Sequence, residues 1–284
     1  MQQAEIKDLT IMSYVAKANV IDAVYSAKSG HPGGSLSITD ILTYLYFKEM
    51  KIDPKTPKSE TRDRLVLSKG HTCPALYSVL ALRGYFPIEE ITGFRSINGL
   101  LQGHPDMKTI PGIDMSSGSL GQGISAACGI ALSAKLSDKD YRTYTIVGDG
   151  ELQEGEVWEA AMFAAHYKLD NLCVFVDHNG LQIDGNIKDV MSPYPIDEKF
   201  KAFGFNVLVI NGHSFEEIEA AINEAKNTKG KPTVIIANTV KGKGVSFMEN
   251  NAGWHGNAPS EEQYKTAMAE IDTVISNIKE NGVK

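Results

Sequence analysis

Cysteine is scarce in this chain, and what little there is rules out a disulfide framework. Cys73, Cys128 and Cys173 are odd in number, far apart and set in apolar segments. They read as reduced thiols packed in a cytoplasmic protein. No Cys-x-x-Cys or His-x-x-x-His spacing occurs, so the sequence offers no zinc-site pattern. Basic charge is also short, 28 Lys+Arg against 35 Asp+Glu for a net charge of -7. Nucleic acids and anionic membranes need a basic surface, so broad binding to either is excluded and an acidic ligand must be held by a local site. Long apolar runs are missing too: none approaches the ~20 residues of a membrane span. The start, Met1 to Asp8, has no apolar stretch behind a basic head and does not resemble a secretory signal.

What is present is ordinary for a globular protein: 42% hydrophobic, 22% charged and 8% aromatic residues in 284. Helical spacing runs from about Ile6 to Ser26 and stops at Ser29-Gly30. A glycine-rich loop, Gly30 to Gly34, then precedes a helix expected over Ile38 to Phe47. Arg64 to Ser68 reads as a strand, followed by a tight turn at Lys69-Gly70-His71 and a helix from Pro74 to Arg83. The glycines of Ser116 to Gly123 open a small-residue helix, Ile124 to Leu136, where a ligand or backbone can come close. Tyr144–Val147, Leu172–Val176, Val207–Ile210 and Thr233–Ala237 are short, nearly continuous apolar runs. Between them lie helices over Glu156 to Tyr167 and from Ser214, where Ser214 and Glu217 have capping-box spacing. Ser260 and Gln263 repeat that signature before a final amphipathic stretch, Tyr264 to Ile278. Continuous apolar strands alternating with helices define an α/β fold, a doubly wound parallel sheet with helices on both faces. No internal repeat or linker is evident, so residues 1–284 are read as a single domain.

Ligands of such sheets bind at the carboxyl ends of the strands. One strand ends in Gly148-Asp149-Gly150 and the next in Asp177-His178-Asn179-Gly180, about one βαβ unit later. Taken singly each is a turn signal; taken together they favour a metal–diphosphate site. The Asp149 carboxylate, the Asn179 amide oxygen and the Leu181 carbonyl are hard oxygen donors suited to Mg²⁺. Gly148 and Gly150 let a diphosphate approach, with helix N–H groups beyond. His31, His71, His104 and His255 all sit in glycine-flanked loops, where imidazoles can project into a cleft and handle protons.

Gly148 to Gly155 (Gly-Asp-Gly-Glu-Leu-Gln-Glu-Gly), continuing through Trp158-Glu159-Ala160 to Asn179-Gly180-Leu181, resembles the thiamine diphosphate motif of transketolases. Gly30-His31-Pro32-Gly33, Ser68-Lys69-Gly70-His71, Gly103-His104-Pro105, Leu120-Gly121-Gln122-Gly123, Lys241-Gly242-Lys243-Gly244 and Trp254-His255-Gly256 fit the same family in order. The resemblance implies a thiamine diphosphate-binding fold in which Asp149, Asn179 and Leu181 hold Mg²⁺. It implies cofactor contacts at His71, Gly118, Leu120, Gly150, Glu151, Glu154, Asn179 and His255, with Glu154 also in a subunit-interface network. His31, His104 and His255 are implied on the substrate side. His166, His178 and His213 match no catalytic position and are left structural.

The family's enzyme is about twice this length and places its cofactor between this domain and a pyrimidine-binding domain. The resemblance therefore implies the N-terminal subunit of a split transketolase. A C-terminal partner chain would supply the pyrimidine-binding and C-terminal domains in an α2β2 heterotetramer, and without that partner the chain would be inactive. With it, the enzyme would transfer a two-carbon ketol unit between sugar phosphates of the pentose phosphate pathway. Two alternatives stand beside it: a related thiamine diphosphate enzyme chain for another phosphorylated ketose, and a non-catalytic module that keeps the fold.

Overall fold

The computed structural model describes residues 1–283. Among them are seven strands: β1 (Arg64–Leu67), β2 (Thr143–Gly148), β3 (Leu172–His178), β4 (Leu181–Gln182), β5 (Gly185–Asn186), β6 (Asn206–Asn211) and β7 (Thr233–Asn238). Five form one parallel sheet in the order β1-β2-β3-β7-β6, while β4 and β5 make a small antiparallel ladder beside it. Leu65, Leu67, Tyr144, Ile146, Cys173, Phe175 and Ile235 point into one core. Their neighbours Val66, Val147, Val174, Val176, Val234 and Ile236 point into a second. Because both faces are buried, the strands read as continuous apolar runs with no polar alternation.

The helices are α1 (Gln3–Ala27), α2 (Pro32–Tyr44), α3 (Cys73–Leu82), α4 (Gln122–Leu136), α5 (Gly155–His166), α6 (Ile187–Met191), α7 (Ile196–Ala202), α8 (Phe215–Asn227) and α9 (Glu261–Asn281). The first core is built from α1, α2, α3, α8 and α9, the second from α4, α5 and α7. The helix joining β2 to β3 therefore lies on one face and the helix joining β6 to β7 on the other. The strand order reverses between β3 and β7, which opens a crevice at their carboxyl ends. In-register pairing of Gly148 with Asp177, and of Asp177 with Ala237, brings those ends level. All three cysteines are free and buried.

Two expectations need correction. The glycine-rich segment after Gly30 is not a loop: α2 begins at Pro32 and runs to Tyr44, followed by a wider turn over Leu45–Glu49. Proline suits the first helical position, and burial of the whole helix outweighs the poor propensity of Gly33 and Gly34. Both glycines are there for close contact. A Cβ on Gly33 would meet the Trp254 carbonyl at 2.8 Å, and one on Gly34 would meet Thr72 at 2.9 Å. The second correction concerns α8, where only half a capping box forms. Ser214 Oγ accepts from Glu217 N (3.2 Å), but the Glu217 carboxylate accepts from Asn211 N (2.8 Å) at the end of edge strand β6, a donor with no strand partner. At α9 the full Ser260–Gln263 box is present.

Candidate active site

A cleft of about 410 Å³ opens where β1, β2, β3 and β7 end. Asp149 follows β2 directly and is 2% exposed. Its Oδ1 accepts from Gly150 N (2.9 Å) and its Oδ2 from Gly180 N (2.7 Å), so one carboxylate ties the β2 turn to the β3 turn. Burial and the nearby Asp177 carboxylate push Asp149 up to about 6. It is a carboxylate short of positive charge. Asn179 Oδ1 accepts from Leu181 N (3.1 Å), and its amide nitrogen donates to Asp177 (2.9 Å). Among the described residues no three His, Cys, Asp or Glu side chains gather as a metal site. The oxygens near Asp149 are of another kind, an amide and a main-chain carbonyl.

Below the cleft lies a buried ion pair. Lys69 Nζ stands 2.5 Å from Asp177 Oδ2, with the two side chains 4% and 0% exposed. Ser37 Oγ (2.7 Å), Thr239 Oγ1 and the Asn179 amide also donate to Asp177. Burial works against this charge, but Lys69 and these donors hold Asp177 below the usual carboxylate range. Glu151 acts as a latch: Oε1 accepts from Ser68 Oγ (2.5 Å) and Gly121 N (2.8 Å), and Oε2 accepts from Gly148 N (2.9 Å). It lines the cleft, yet both oxygens are engaged in holding three loops together.

The same cleft is lined by Lys241, 2% exposed, on the loop after β7. Its ammonium donates to the Leu181 carbonyl (3.2 Å) and to His255 Nδ1 (3.1 Å), and it forms no ion pair among the described residues. Burial, reinforced by Lys69, pushes it down to about 8. The Asp177 and Asp149 carboxylates pull the other way, and neither reaches it as an ion pair. The loop is fixed from beneath. Gly242 N donates to Gly33 O (2.9 Å), Val240 N donates to His213 Nε2 (2.9 Å), and the other ring nitrogen of His213 bonds Asp40 (2.6 Å). Asp40 also accepts from buried Lys17 (2.8 Å) and from Ser13.

Three of the expected histidines meet. The rings of His31, His71 and His255 form a triangle with centroid separations of 5.0, 5.4 and 5.3 Å. Burial lowers His31 to about 4 and His255 to about 3, and holds His71 well below the usual imidazole range, with neighbouring cations adding to each shift. All three are neutral at pH 7. Acceptance from Lys241 at Nδ1 leaves the His255 ring proton on Nε2. His31 Nδ1 is buried and has no hydrogen-bond partner among the described residues. His104 lies at the rim, packed on Gly118, where an added Cβ would come within 3.3 Å of the ring.

Gly118, Leu120, Gly150, Glu151, Glu154, Asn179 and Leu181 all line the cleft with His31, His71, Asp149 and His255. Glu154 is exposed at its edge. His178 is not among the lining residues and is bonded to Asn238 (2.8 Å) and Tyr194 (2.5 Å). His166 is exposed on α5. Sequence reasoning assigned no role to Lys69 or Lys241, although both lie in the glycine motifs. A lysine followed by glycine just past a buried strand was the available signal.

A crevice at the reversal point of a parallel sheet, lined by a buried acid and a buried ammonium with neither in an ion pair among the described residues, is the setting of a diphosphate-binding α/β domain. Comparison with known proteins names the class. Residues 10–272 match the family described as transketolase, thiamine diphosphate binding domain, and the chain belongs to that family. It is 47% identical over 265 residues to the 6-deoxy-6-sulfo-D-fructose transketolase subunit SqwG of Clostridium sp. (strain MSTE9), covering 93% of this chain and 96% of that protein. It is 41% identical over 281 residues to an apulose-4-phosphate transketolase subunit of Phocaeicola vulgatus, covering 99% and 100%. The crystal structure of transketolase from Campylobacter jejuni superposes with a TM-score of 0.89 at 36% identity, covering 96% of this chain but 43% of that one. The transketolase-type fold and the thiamine diphosphate-binding character of the domain follow from these matches.

Proposed function

We propose that this chain is the N-terminal subunit of a two-chain transketolase that uses thiamine diphosphate and Mg²⁺ to move a two-carbon ketol unit from a ketose phosphate to an aldose phosphate. The observation that carries the proposal is that buried Asp149 and buried Lys241 line one cleft with neither in an ion pair among the described residues. A divalent cation beside Asp149 and a diphosphate beside Lys241 would satisfy both buried charges at once. Asp149, the Asn179 side-chain oxygen and the Leu181 carbonyl would hold the metal. Gly150, His71, Gly118, Leu120 and Lys241 would face the cofactor, which when bound supplies the carbon nucleophile of ketol transfer.

The chain's own groups do the rest. Neutral His31 and His255 present ring nitrogens that can accept or donate hydrogen bonds to sugar hydroxyls without competing for a proton at pH 7. His104, at the rim, meets the sugar first. Glu151 and the Lys69–Asp177 pair fix the floor. Exposed Ile183 (67%), which lines the cleft, and Met191 (63%) nearby support a second chain closing over it. That chain would carry the pyrimidine-binding and C-terminal domains, in an α2β2 assembly in the cytoplasm, and Glu154 would meet an interface there.

The donor proposed is a ketose 5- or 6-phosphate of the pentose phosphate pathway. The names of the two relatives matched along most of their length favour a second reading, in which the donor is a specialised ketose carrying its phosphate at another position or a sulfonate in its place. The test is to recover the tagged chain from its own cells, determine the native mass of the complex, and assay it with xylulose 5-phosphate and 6-deoxy-6-sulfofructose as donors. Ketol transfer by a complex with a second polypeptide, and none by this chain alone, is expected. A homomeric assembly with no transfer from either donor would overturn the proposal.

A further inference from the structure

Arg95 lies outside the ring of residues lining the cleft, yet it joins the two loops that carry the substrate-side histidines. Its guanidinium Nη1 donates to Ser29 Oγ (2.7 Å), two residues before His31. The same group lies against Gly103, the residue before His104: a Cβ there would stand 3.0 Å from Nε and 3.3 Å from Cζ and Nη2. A side chain at Gly103 would press on the guanidinium. Nε is buried and has no acceptor among the described residues. The backbone of Arg95 is left-handed, φ 61°, a conformation unfavourable for a side chain of this size. Arg95 N donates to Leu101 O (2.8 Å) and so closes the loop on itself. On the far side, α3 holds the same loop, with Tyr77 Oη donating to the Gln102 and His104 carbonyls (both 2.9 Å) and Cys73 Sγ to the Gly103 carbonyl (3.2 Å). An unfavourable backbone and an unpartnered buried N–H persist where surrounding structure over-determines them, most often beside a functional site.

We propose that Arg95 is a positioning residue for the ketose donor, its guanidinium clamping the Ser29–His31 loop to the Gly103–His104 loop and so setting the two imidazoles relative to each other at the mouth of the cleft. The inference rests on the proposed ketol-transfer reading for its kinetic arm only. Its electrostatic arm is a property of the chain itself. Next to burial, the Arg95 charge is the largest influence lowering both His31 and His104. The other charged or titratable groups facing His31 are His104 itself, His71 from the turn after β1, and His255 and Lys241 from the loops after β7. Around the His104 loop they are Tyr77 and Cys73 of α3 and Asp106, two residues on.

The experiment uses the chain with its partner, as wild type, Arg95→Gln and Arg95→Lys. Histidine side-chain NMR titrations, assigned with His31→Gln and His104→Gln, are recorded alongside donor kinetics and thiamine diphosphate affinity. Arg95→Gln is expected to lower kcat/KM for the ketose donor by about 30-fold while the cofactor Kd stays within about twofold. In the same variant His31 and His104 should titrate at higher pH than in the wild type. Arg95→Lys should return the titrations toward wild type yet leave kcat/KM about tenfold down, because an ammonium cannot span both loops. If Arg95→Gln left donor kcat/KM within about threefold of wild type, or weakened the cofactor by the same factor as kcat/KM, the clamp would be overturned. If the wild-type complex moved no ketol unit, the functional reading would fall while unshifted or shifted histidine titrations still decided the clamp.

Discussion

Lys69 and Asp177 meet 2.5 Å apart beneath the cleft, the one two residues past β1 and the other at the end of β3, both almost wholly buried. Each is tied to a further element: Lys69 Nζ donates to the Gly34 carbonyl in α2 (3.0 Å), and Asp177 accepts from Ser37 in the same helix (2.7 Å). The pair thus joins two strands and a helix at the point where the cleft opens. Lys69→Met would leave a buried carboxylate with hydrogen-bond donors but no counter-charge. A loss of about 3–5 kcal/mol in unfolding free energy is expected, measured by urea denaturation. A loss under about 1 kcal/mol would show that the other donors suffice.

Neutral, buried histidines make acid the weak side of this protein. His31 (about 4) and His255 (about 3) bind their protons less readily when folded than an unfolded histidine near 6.5 does. Between those values the unfolded chain holds more protons, so stability is full above about pH 6.5 and declines as pH falls toward 4. Melting temperature measured from pH 7.5 to 4.5 should drop on the acid side. In His31→Gln/His255→Gln the slope should be shallower, and an unchanged slope would place the acid sensitivity elsewhere.

His213 is expected to act at a distance through the main chain. It accepts from Val240 N and bonds Asp40 with its other nitrogen, holding the residue next to Lys241. His213→Leu should raise amide hydrogen exchange at Val240 and weaken thiamine diphosphate binding by about tenfold, at a cost of about 1–2 kcal/mol in stability. Unchanged exchange at Val240 would mean that the loop is held by the Gly33–Gly242 and Lys241–Asn250 bonds alone.

Gly123 lies in the first turn of α4, where alanine would ordinarily add about 1 kcal/mol of helix stability. Here the sign should reverse. A Cβ at this position would lie 2.4 Å from Ser68 Cα, a backbone atom that cannot swing aside. Ser68 in turn donates to Glu151, so the displaced turn would also disturb the latch on Gly148 and Gly121. Gly123→Ala should destabilise the fold by at least about 2 kcal/mol, and a thermal-shift gain would contradict this packing.

The sheet was legible because its strands are short β-branched runs with no competing period, and Asp149 and Asn179 were legible because strand ends in such sheets are where ligands go. The start of α2 was not. A glycine pair reads locally as a turn, and the contacts with Trp254 and Thr72 that make it helical come from distant parts of the chain. Glu217 was expected to close a box with Ser214, but an open donor on edge strand β6 outcompeted it. Glu151 illustrates a different limit. Its place in the motif says that it reaches the cleft, whereas only coordinates show its oxygens bound to Ser68, Gly121 and Gly148. The bond between Arg95 and Ser29 spans 66 positions and has no local signature at all.

Calorimetric titration of thiamine diphosphate into the complex of this chain with its partner, with and without Mg²⁺, for wild type and Asp149→Ala, decides whether the cleft is a metal–diphosphate site. Wild-type binding is expected to require Mg²⁺, and Asp149→Ala to weaken it by at least about 100-fold, with the fold retained because Asp149 sits at a strand end. Equal affinity with and without Mg²⁺, or normal affinity in Asp149→Ala, would contradict that assignment.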